Sequence, residues 1–433
     1  MSDVLTLIVK TITQAPIFLS LVTLVGLLLQ RKKAHEILDG VVKTLVGMTM
    51  LSTGSGLLTS TLTPVIQKLN EVAGVQGVVP QNFSVYGTML SEYATAVVMA
   101  FLLGFIINLL LVRVVPWKQC KNVYLTVHVA LILSSFLCAA TSAAFGWEIV
   151  SVPTIVTSGV LLGCYNTFSP AIARLYTKDV TGDNYTLGHQ LQIGTGLAVL
   201  LAKAVGNPDE DADKIKLPKG LDVLKDVTVA MAILMPLIFI GMGLAIGESG
   251  IQELAGSNQW IVWLFLQGIS FTAGFTILLA GVRMFINQLL PAFKGIADKY
   301  AHGSIPALDC AIFYPLSGTG AMLGFISAAC GALLAMVVTI VFQMPIVVFP
   351  SPNVVVFDGM TLGVFGNKYG GWKGAIAAGF VTVFLVHLLV VFLYPLTGVL
   401  YGGGLTYSQT DYSLFWMPFM SVLSGVGHLL GLS

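Results

Sequence analysis

Apolar runs of close to 20 residues recur along this chain, separated by short polar stretches, and no other feature limits its fold so strongly. Some 20 apolar residues in a helix extend about 30 Å, the thickness of a bilayer's hydrocarbon core. Such runs fall near 12–30, 41–63, 94–115, 123–146, 149–172, 227–247, 259–282, 321–342, 345–366, 375–399 and 413–431. Only 9% of the 433 residues are charged, too few to keep a soluble protein of this length in solution. The chain therefore reads as an all-α polytopic membrane protein with about 11 transmembrane helices. Pro345, Pro350 and Pro352 interrupt one run, which is expected to be a broken helix.

Other classes are excluded by composition. A formal net charge of +1 lacks the basic field of a nucleic-acid binder. Cys120, Cys138, Cys164, Cys310 and Cys330 are scattered and form no CxxC pair, so neither a disulfide framework nor a zinc site is expected, and no cofactor. Asp3 and Lys10 bracket a weakly apolar N-terminus unlike a cleaved signal peptide. The chain contains no GxxxxGK[ST] loop and no nucleophile elbow, which excludes a pump driven by its own nucleotide site.

Basic residues set the expected sidedness, because loops rich in Lys and Arg stay cytoplasmic. Arg31, Lys32 and Lys33 follow the first run; Arg113, Lys118 and Lys121 the third; Arg174 and Lys178 the fifth. Arg283, Lys294 and Lys299 follow the seventh, and Lys368 and Lys373 the ninth. The loops near 144–149, 248–258 and 401–412 contain neither residue type. The N-terminus is thus predicted outside and the C-terminus in the cytoplasm, provided 181–203 is a re-entrant segment that enters and leaves on the cytoplasmic side.

A short repeat fits this topology. Pro64, Leu69 and Glu71 share their spacing with Pro291, Ile296 and Asp298, and each set follows the second span of a five-span block. The blocks, near 12–172 and 227–399, would be inverted five-helix repeats, a transporter design that places substrate near the midplane. The polar stretch 203–226 reads as a cytoplasmic loop, with a docking surface as the second reading. Residues 1–433 form a single membrane-embedded unit with no room for a soluble catalytic domain.

Four polar places stand out in this apolar setting. STGSGLLTST, 52–61, contains Gly54 and Gly56, which serve either close helix packing or approach of a ligand. His128 in LTVHVAL is a lone histidine near a span's start, structural or functional. In TGDNYTLGHQLQIG, 181–194, His189 and Gln190 offer the donors and acceptors that suit a hydroxyl-rich ligand, the alternative being a wet loop. Left unpaired in an apolar setting, each such group costs about 1–3 kcal/mol. In IPALDCAIFYPLSGTG, 305–320, Asp309 is a carboxylate at membrane depth, functional by default. Its neighbour Cys310 reads as a small buried thiol, and Glu92 is a weaker analogue at an interface.

Five stretches, KTLVGMTMLSTGSGLLTSTLTPV, LGHQLQ, GVRMFINQLLPAFKGIADK, IPALDCAIFYP and TLGVFGNKYGGWKGA, carry a further message. In this order, from about residue 15 to 375, the chain resembles the ascorbate-type membrane subunit, EIIC, of the bacterial phosphoenolpyruvate-dependent sugar phosphotransferase system. The resemblance implies a homodimeric inner-membrane permease, set in lipid, with a scaffold domain and a mobile core that carries a sugar-like substrate as an elevator. It implies a separate cytoplasmic EIIB partner whose phosphocysteine, charged through EIIA, phosphorylates the substrate; this chain has no EIIA or EIIB domain and no catalytic nucleophile.

Carried over residue by residue, the family's binding histidine falls on His128, its His-Gln pair on His189 and Gln190, and its aspartate on Asp309. Asn82 and Phe83 replace a Thr-Tyr pair, and Ile132 replaces a glutamine. L-ascorbate is the expected substrate, with a related pentose, polyol or sugar acid as the alternative. An ion-coupled secondary transporter independent of EIIB is the competing class, and it predicts accumulation without phosphotransferase partners. A membrane-embedded enzyme or a channel has no supporting motif.

Overall fold

A computed structural model describes residues 15–432 except 75, 216–222, 224–225 and 302; side chains 289–299 also lie outside the described residues. The second copy of the proline repeat, Pro291 to Asp298, falls among those side chains, and the reading of the first 14 residues falls outside the description.

Two long helices form one layer. Helix α1, Ala15–Leu29, leads through a short turn into α2, Ala34–Ala73, where Glu36 reaches back to the Lys33 N–H at 3.0 Å. Helix α2 ends at Gly74, whose left-handed backbone (φ 62°) lets its N–H close on the Asn70 carbonyl. It lies against α9, Trp260–Tyr300, with glycine facing glycine. A Cβ on Gly54 would sit 2.6 Å from the Gly274 carbonyl oxygen, and one on Gly281 would sit 2.5 Å from that of Gly47. These residues let the two backbones touch, as small residues do between membrane helices.

The second layer is built from broken helices whose ends meet inside the protein. In chain order come β1 (Gln76–Pro80), α3 (Asn82–Val114), β2 (Asn122–Tyr124), α4 (Val127–Phe145) and α5 (Val152–Thr181). Then follow β3 (Thr186–Leu187) and α6 (Gln192–Val205). At 14 residues, α6 extends about 21 Å and is too short to cross a bilayer, as expected of a re-entrant segment. Helices α7 (Val227–Ile246) and α8 (Glu248–Ala255) precede α9. After α9 come β4 (Ile305–Leu308), α10 (Gly318–Val341), β5 (Ile346–Val348), α11 (Gly359–Leu393), β6 (Leu405–Thr406) and α12 (Met417–Leu429).

Eight helices among the described residues are long and apolar enough to cross a membrane, and the chain is a multi-pass membrane protein. The other expected runs are shorter or broken. Helix α1 has 15 residues. The run at 345–366 begins as strand β5, passes Pro350 and Pro352, and becomes helical through a π turn at Val354–Asp358. Helix α11 then kinks at Gly370 and Gly371, the latter at φ 62°. The stretch 401–412, read from sequence as a loop, is buried from Thr406 through Tyr412, because β6 pairs with β1 and draws it inward.

The strands make two three-stranded parallel sheets, ordered β5-β1-β6 and β2-β4-β3. In the first, Val78 lies opposite Val348 and Val79 opposite Leu405. In the second, Tyr124 and Thr186 both lie opposite Ala307, and Leu187 lies opposite Leu308. Each sheet takes its central strand from one half of the chain and both outer strands from the other. Strands of two to five residues cannot persist alone, so the sheets act as clasps between hairpin tips. Five of the six strands lead within four residues to a polar residue at the cavity: β2 to His128, β3 to His189, β4 to Asp309, β1 to Asn82 and β6 to Gln409.

Candidate functional site

Residues from the β2-β4-β3 clasp meet at one carboxylate. Asp309 lies with Oδ2 3.4 Å from His128 Nε2 and Oδ1 3.7 Å from His189 Nε2. The aspartate side chain is 40% exposed, while His128 and His189 retain 12% and 5%. Two shielded imidazoles therefore flank a carboxylate that faces open space. Local sequence explains the placement. Pro306 and the four-residue strand keep 305–308 extended, and Asp309 follows in the extended region before a 3-10 turn, Cys310–Leu316. Gly188 must be small, since a Cβ there would lie 2.7 Å from the Ala307 carbonyl.

The upstream part of TGDNYTLGHQLQIG builds the turn. Asp183 has left-handed backbone (φ 65°) and accepts two hydrogen bonds from Arg174, at 2.6 and 2.8 Å. Those bonds hold its carboxyl below the usual range. The Asn184 amide donates to the Thr181 carbonyl at 3.0 Å. The polar residues of this stretch thus divide: 181–184 shape a turn, and His189 faces a cavity.

That cavity has a volume of about 290 Å³, near the small end of ligand sites and suited to a monosaccharide-sized guest. His128, His189, Asp309 and Gln409 supply polar groups, and Phe83, Ile132 and Phe357 supply apolar wall. Arg283 and Asn287 of α9 complete the lining. Gln409 Nε2 is 3.2 and 3.3 Å from the two ring nitrogens of His189, so the amide lies against the ring instead of along one N–H. Its backbone is left-handed (φ 90°). Asn82 Oδ1 accepts the Ser408 N–H at 2.6 Å and so anchors the segment carrying Gln409. Phe83 stands edge-on to Phe275, with centroids 6.2 Å apart.

Other residues singled out in the sequence lie elsewhere. Gln190 is fully buried and does not line the cavity; its carbonyl accepts the Asp411 N–H at 3.0 Å. Gly54 serves the α2–α9 contact, and nothing lies within 4 Å of a Cβ built on Gly56. Glu92 is exposed beside a kink at Tyr93. Sequence reasoning missed Gln409, which sits in the polar stretch YSQTDYS, and it took Arg283 only as a marker of sidedness. Spacing along the chain gives no metal-ligand cluster, yet the fold brings donor atoms of His128, His189 and Asp309 within 4.8 Å of one another.

Residues 10–411 match the family model of the PTS system sugar-specific permease component, EIIC-GAT. The chain belongs to that family. The chain is also 26% identical over 430 residues to the ascorbate-specific PTS system EIIC component of Mycoplasma pneumoniae. That match covers 88% of the chain and 64% of the relative, so the chain spans less than two thirds of the relative's length.

Proposed function

We propose that this permease binds a small polyhydroxylated substrate, L-ascorbate foremost, between Asp309 and the two histidines and moves it across the bacterial inner membrane. The observation that carries the reading is Asp309 held between His128 and His189 at the wall of a monosaccharide-sized cavity. An exposed carboxylate accepts from substrate hydroxyls, and the imidazoles donate or accept, so together they replace the water a sugar gives up. Ascorbate is supported by the Mycoplasma pneumoniae relative, an ascorbate-specific component. The changed positions Asn82, Phe83 and Ile132 all line this cavity and favour keeping a related pentose, polyol or sugar acid as the second reading.

In this reading the substrate is phosphorylated on the cytoplasmic side by a separate EIIB, which traps it. The two clasps and their hairpins, which bear His128, His189, Asp309 and Gln409, would travel as a core against a scaffold that includes α2 and α9. Two inverted repeats, with the N-terminus outside and the C-terminus in the cytoplasm, would frame that motion. The exchange of strand roles between the two sheets supports the repeats, because swapping the halves turns one strand order into the other. Pairing of two copies rests on the family resemblance alone.

The test is binding of radiolabelled L-ascorbate to purified permease, competed by pentoses, polyols and sugar acids, alongside His189→Ala. Saturable binding lost in the variant supports the site. Undiminished binding by the variant removes it, and uptake that persists without EIIB would favour an ion-coupled transporter.

A further inference from the structure

Arg283 is the cation on the cavity wall, and it comes from α9, not from the clasp that holds Asp309. Leu279, Val282, Arg283 and Asn287 of that helix all line the cavity. Their spacing of three, four and eight residues is one helical face, so Arg283 shares the face turned to the cavity. Among the described residues none makes an ion pair or hydrogen bond with its guanidinium. Arg283 is exposed near the end of the apolar span Trp260–Phe285, and five donors in a planar fork are built for a carboxylate or another delocalised anion. The cavity is therefore polarised, with a carboxylate between imidazoles on one wall and a guanidinium and an amide on another.

We propose that Arg283 is the counter-charge for an acidic sugar-type substrate, so that the site selects a monoanion carrying several hydroxyls over its neutral counterpart. The proposal rests on the cavity being the substrate site. The anionic group of the ligand faces Arg283 and its hydroxyls face Asp309, which keeps two negative charges apart and orients the ligand. Asn287, one turn further along α9, adds an amide beside the same anionic group. A neutral polyol would offer the guanidinium no anionic partner and so forgo the charge-assisted contact that the acid gains.

The experiment measures binding to purified permease of matched pairs, each an acid and its neutral analogue: L-ascorbate with its 3-O-methyl ether, and D-gluconate with D-sorbitol. The wild type should prefer the acid of the pair it binds by about tenfold or more, the scale of one charge-assisted contact. Arg283→Gln should erase that preference by weakening the acid more than the neutral member, which should still bind. Arg283→Lys should keep most of the preference, and Asn287→Asp should weaken only the acid. Equal loss of both members in a folded Arg283→Gln protein, or a wild type that prefers the neutral member, overturns the proposal. If His189→Ala binds either ligand as well as the wild type, the cavity is not the substrate site, a failure distinct from that of the charge selection.

Discussion

The Gly194 N–H donates to the Asp411 carboxylate at 2.9 Å, a bond that spans 217 residues of sequence. Asp411 also accepts from the Ile193 N–H at 3.1 Å and from the Tyr165 hydroxyl at 2.5 Å. Helix α6 has no side-chain cap from its own N-cap residue, so Asp411 in the C-terminal part of the chain caps its first turn. The bond ties the segment bearing His189 to the segment bearing Gln409.

Asp411→Ala would leave the Gly194 and Ile193 N–H groups without this acceptor, while the Tyr165 hydroxyl keeps Gln192 Oε1. Each unpaired group costs about 1–3 kcal/mol, so a loss of roughly 2 kcal/mol or more is expected. Thermal unfolding in detergent should show a fall of several degrees. Asp411→Asn, which keeps an acceptor oxygen, should fall less. An alanine variant that melts with the wild type would mean the cap carries no stability.

Asp309→Ala removes the group that both histidines face. Substrate affinity should drop about tenfold to a hundredfold, the scale of a hydrogen bond to a charged group, with unfolding temperature little changed since the side chain is 40% exposed. Treatment with a chelator should leave wild-type affinity intact, because the three groups serve the ligand directly. Affinity lost on chelation and restored by a divalent ion would instead make His128, His189 and Asp309 a metal site.

Phe83→Tyr and Ile132→Gln restore the polarity that the resembled family carries at these cavity positions. Each should strengthen ascorbate binding by about 1 kcal/mol, roughly fivefold, if the added group meets a substrate hydroxyl. Asn82 is unsuited to this test, because replacing it also releases the Ser408 N–H. Titration calorimetry of the two single variants decides it; unchanged affinity in both places the missing hydroxyl and amide outside the ligand's reach.

Gly54→Leu and Gly56→Ala should act in opposite directions. A side chain at Gly54 drives into the Gly274 carbonyl, an overpacking that costs about 1–3 kcal/mol. At Gly56 a Cβ meets open space, and alanine gains about 0.5–1 kcal/mol of helix propensity. Melting curves of the pair separate helix packing from ligand approach, and similar curves would contradict the close contact.

Residues 210–213 strap the kink of α11. The Ala212 N–H donates to Asn367 Oδ1 at 2.7 Å, Asn367 Nδ2 donates to Asp211 at 2.7 Å, and Lys373 pairs with Glu210 at 3.0 Å. The Asn367 amide, then the Asp213 N–H, hold the Asp211 carboxyl below its ordinary value. A depressed folded value means the strap's contribution is complete above the ordinary Asp pKa of about 3.9 and is lost as pH falls through the lower folded value. Exchange of the Ala212 amide, corrected for intrinsic rate, should stay slow from neutral pH to about 4 and quicken below. Asn367→Ala should quicken it at neutral pH; slow exchange in that variant would show that other contacts hold the strap.

The sequence made some of this legible and hid the rest for physical reasons. His128, His189 and Asp309 stand out because titratable groups in apolar runs must have a partner, and the fold brings these three together. The length of the apolar runs exposes the helices, while β5 and the π turn at Val354–Asp358 hide within one run because a buried strand and a buried helix share the same hydrophobicity. Gln409 and Asp411 were illegible for the opposite reason. A polar, glycine-rich stretch reads as solvent loop, and only pairing of β6 with β1 takes it inside. Arg283 is ambiguous in sequence because the same cation marks sidedness or a ligand, and only the fold shows that it shares the helical face lining the cavity.

The interleaved sheets also set a clock for biogenesis. Strand β1 waits for partners made about 270 and 330 residues later, and the cap on α6 waits for Asp411. During synthesis β1 must rest without β6, and α6 without its cap, until Leu405, Thr406 and Asp411 have been made. A nascent chain stalled before Leu405 would therefore already hold the β2-β4-β3 clasp with His128, His189 and Asp309, yet lack β6, Gln409 and the cap on α6.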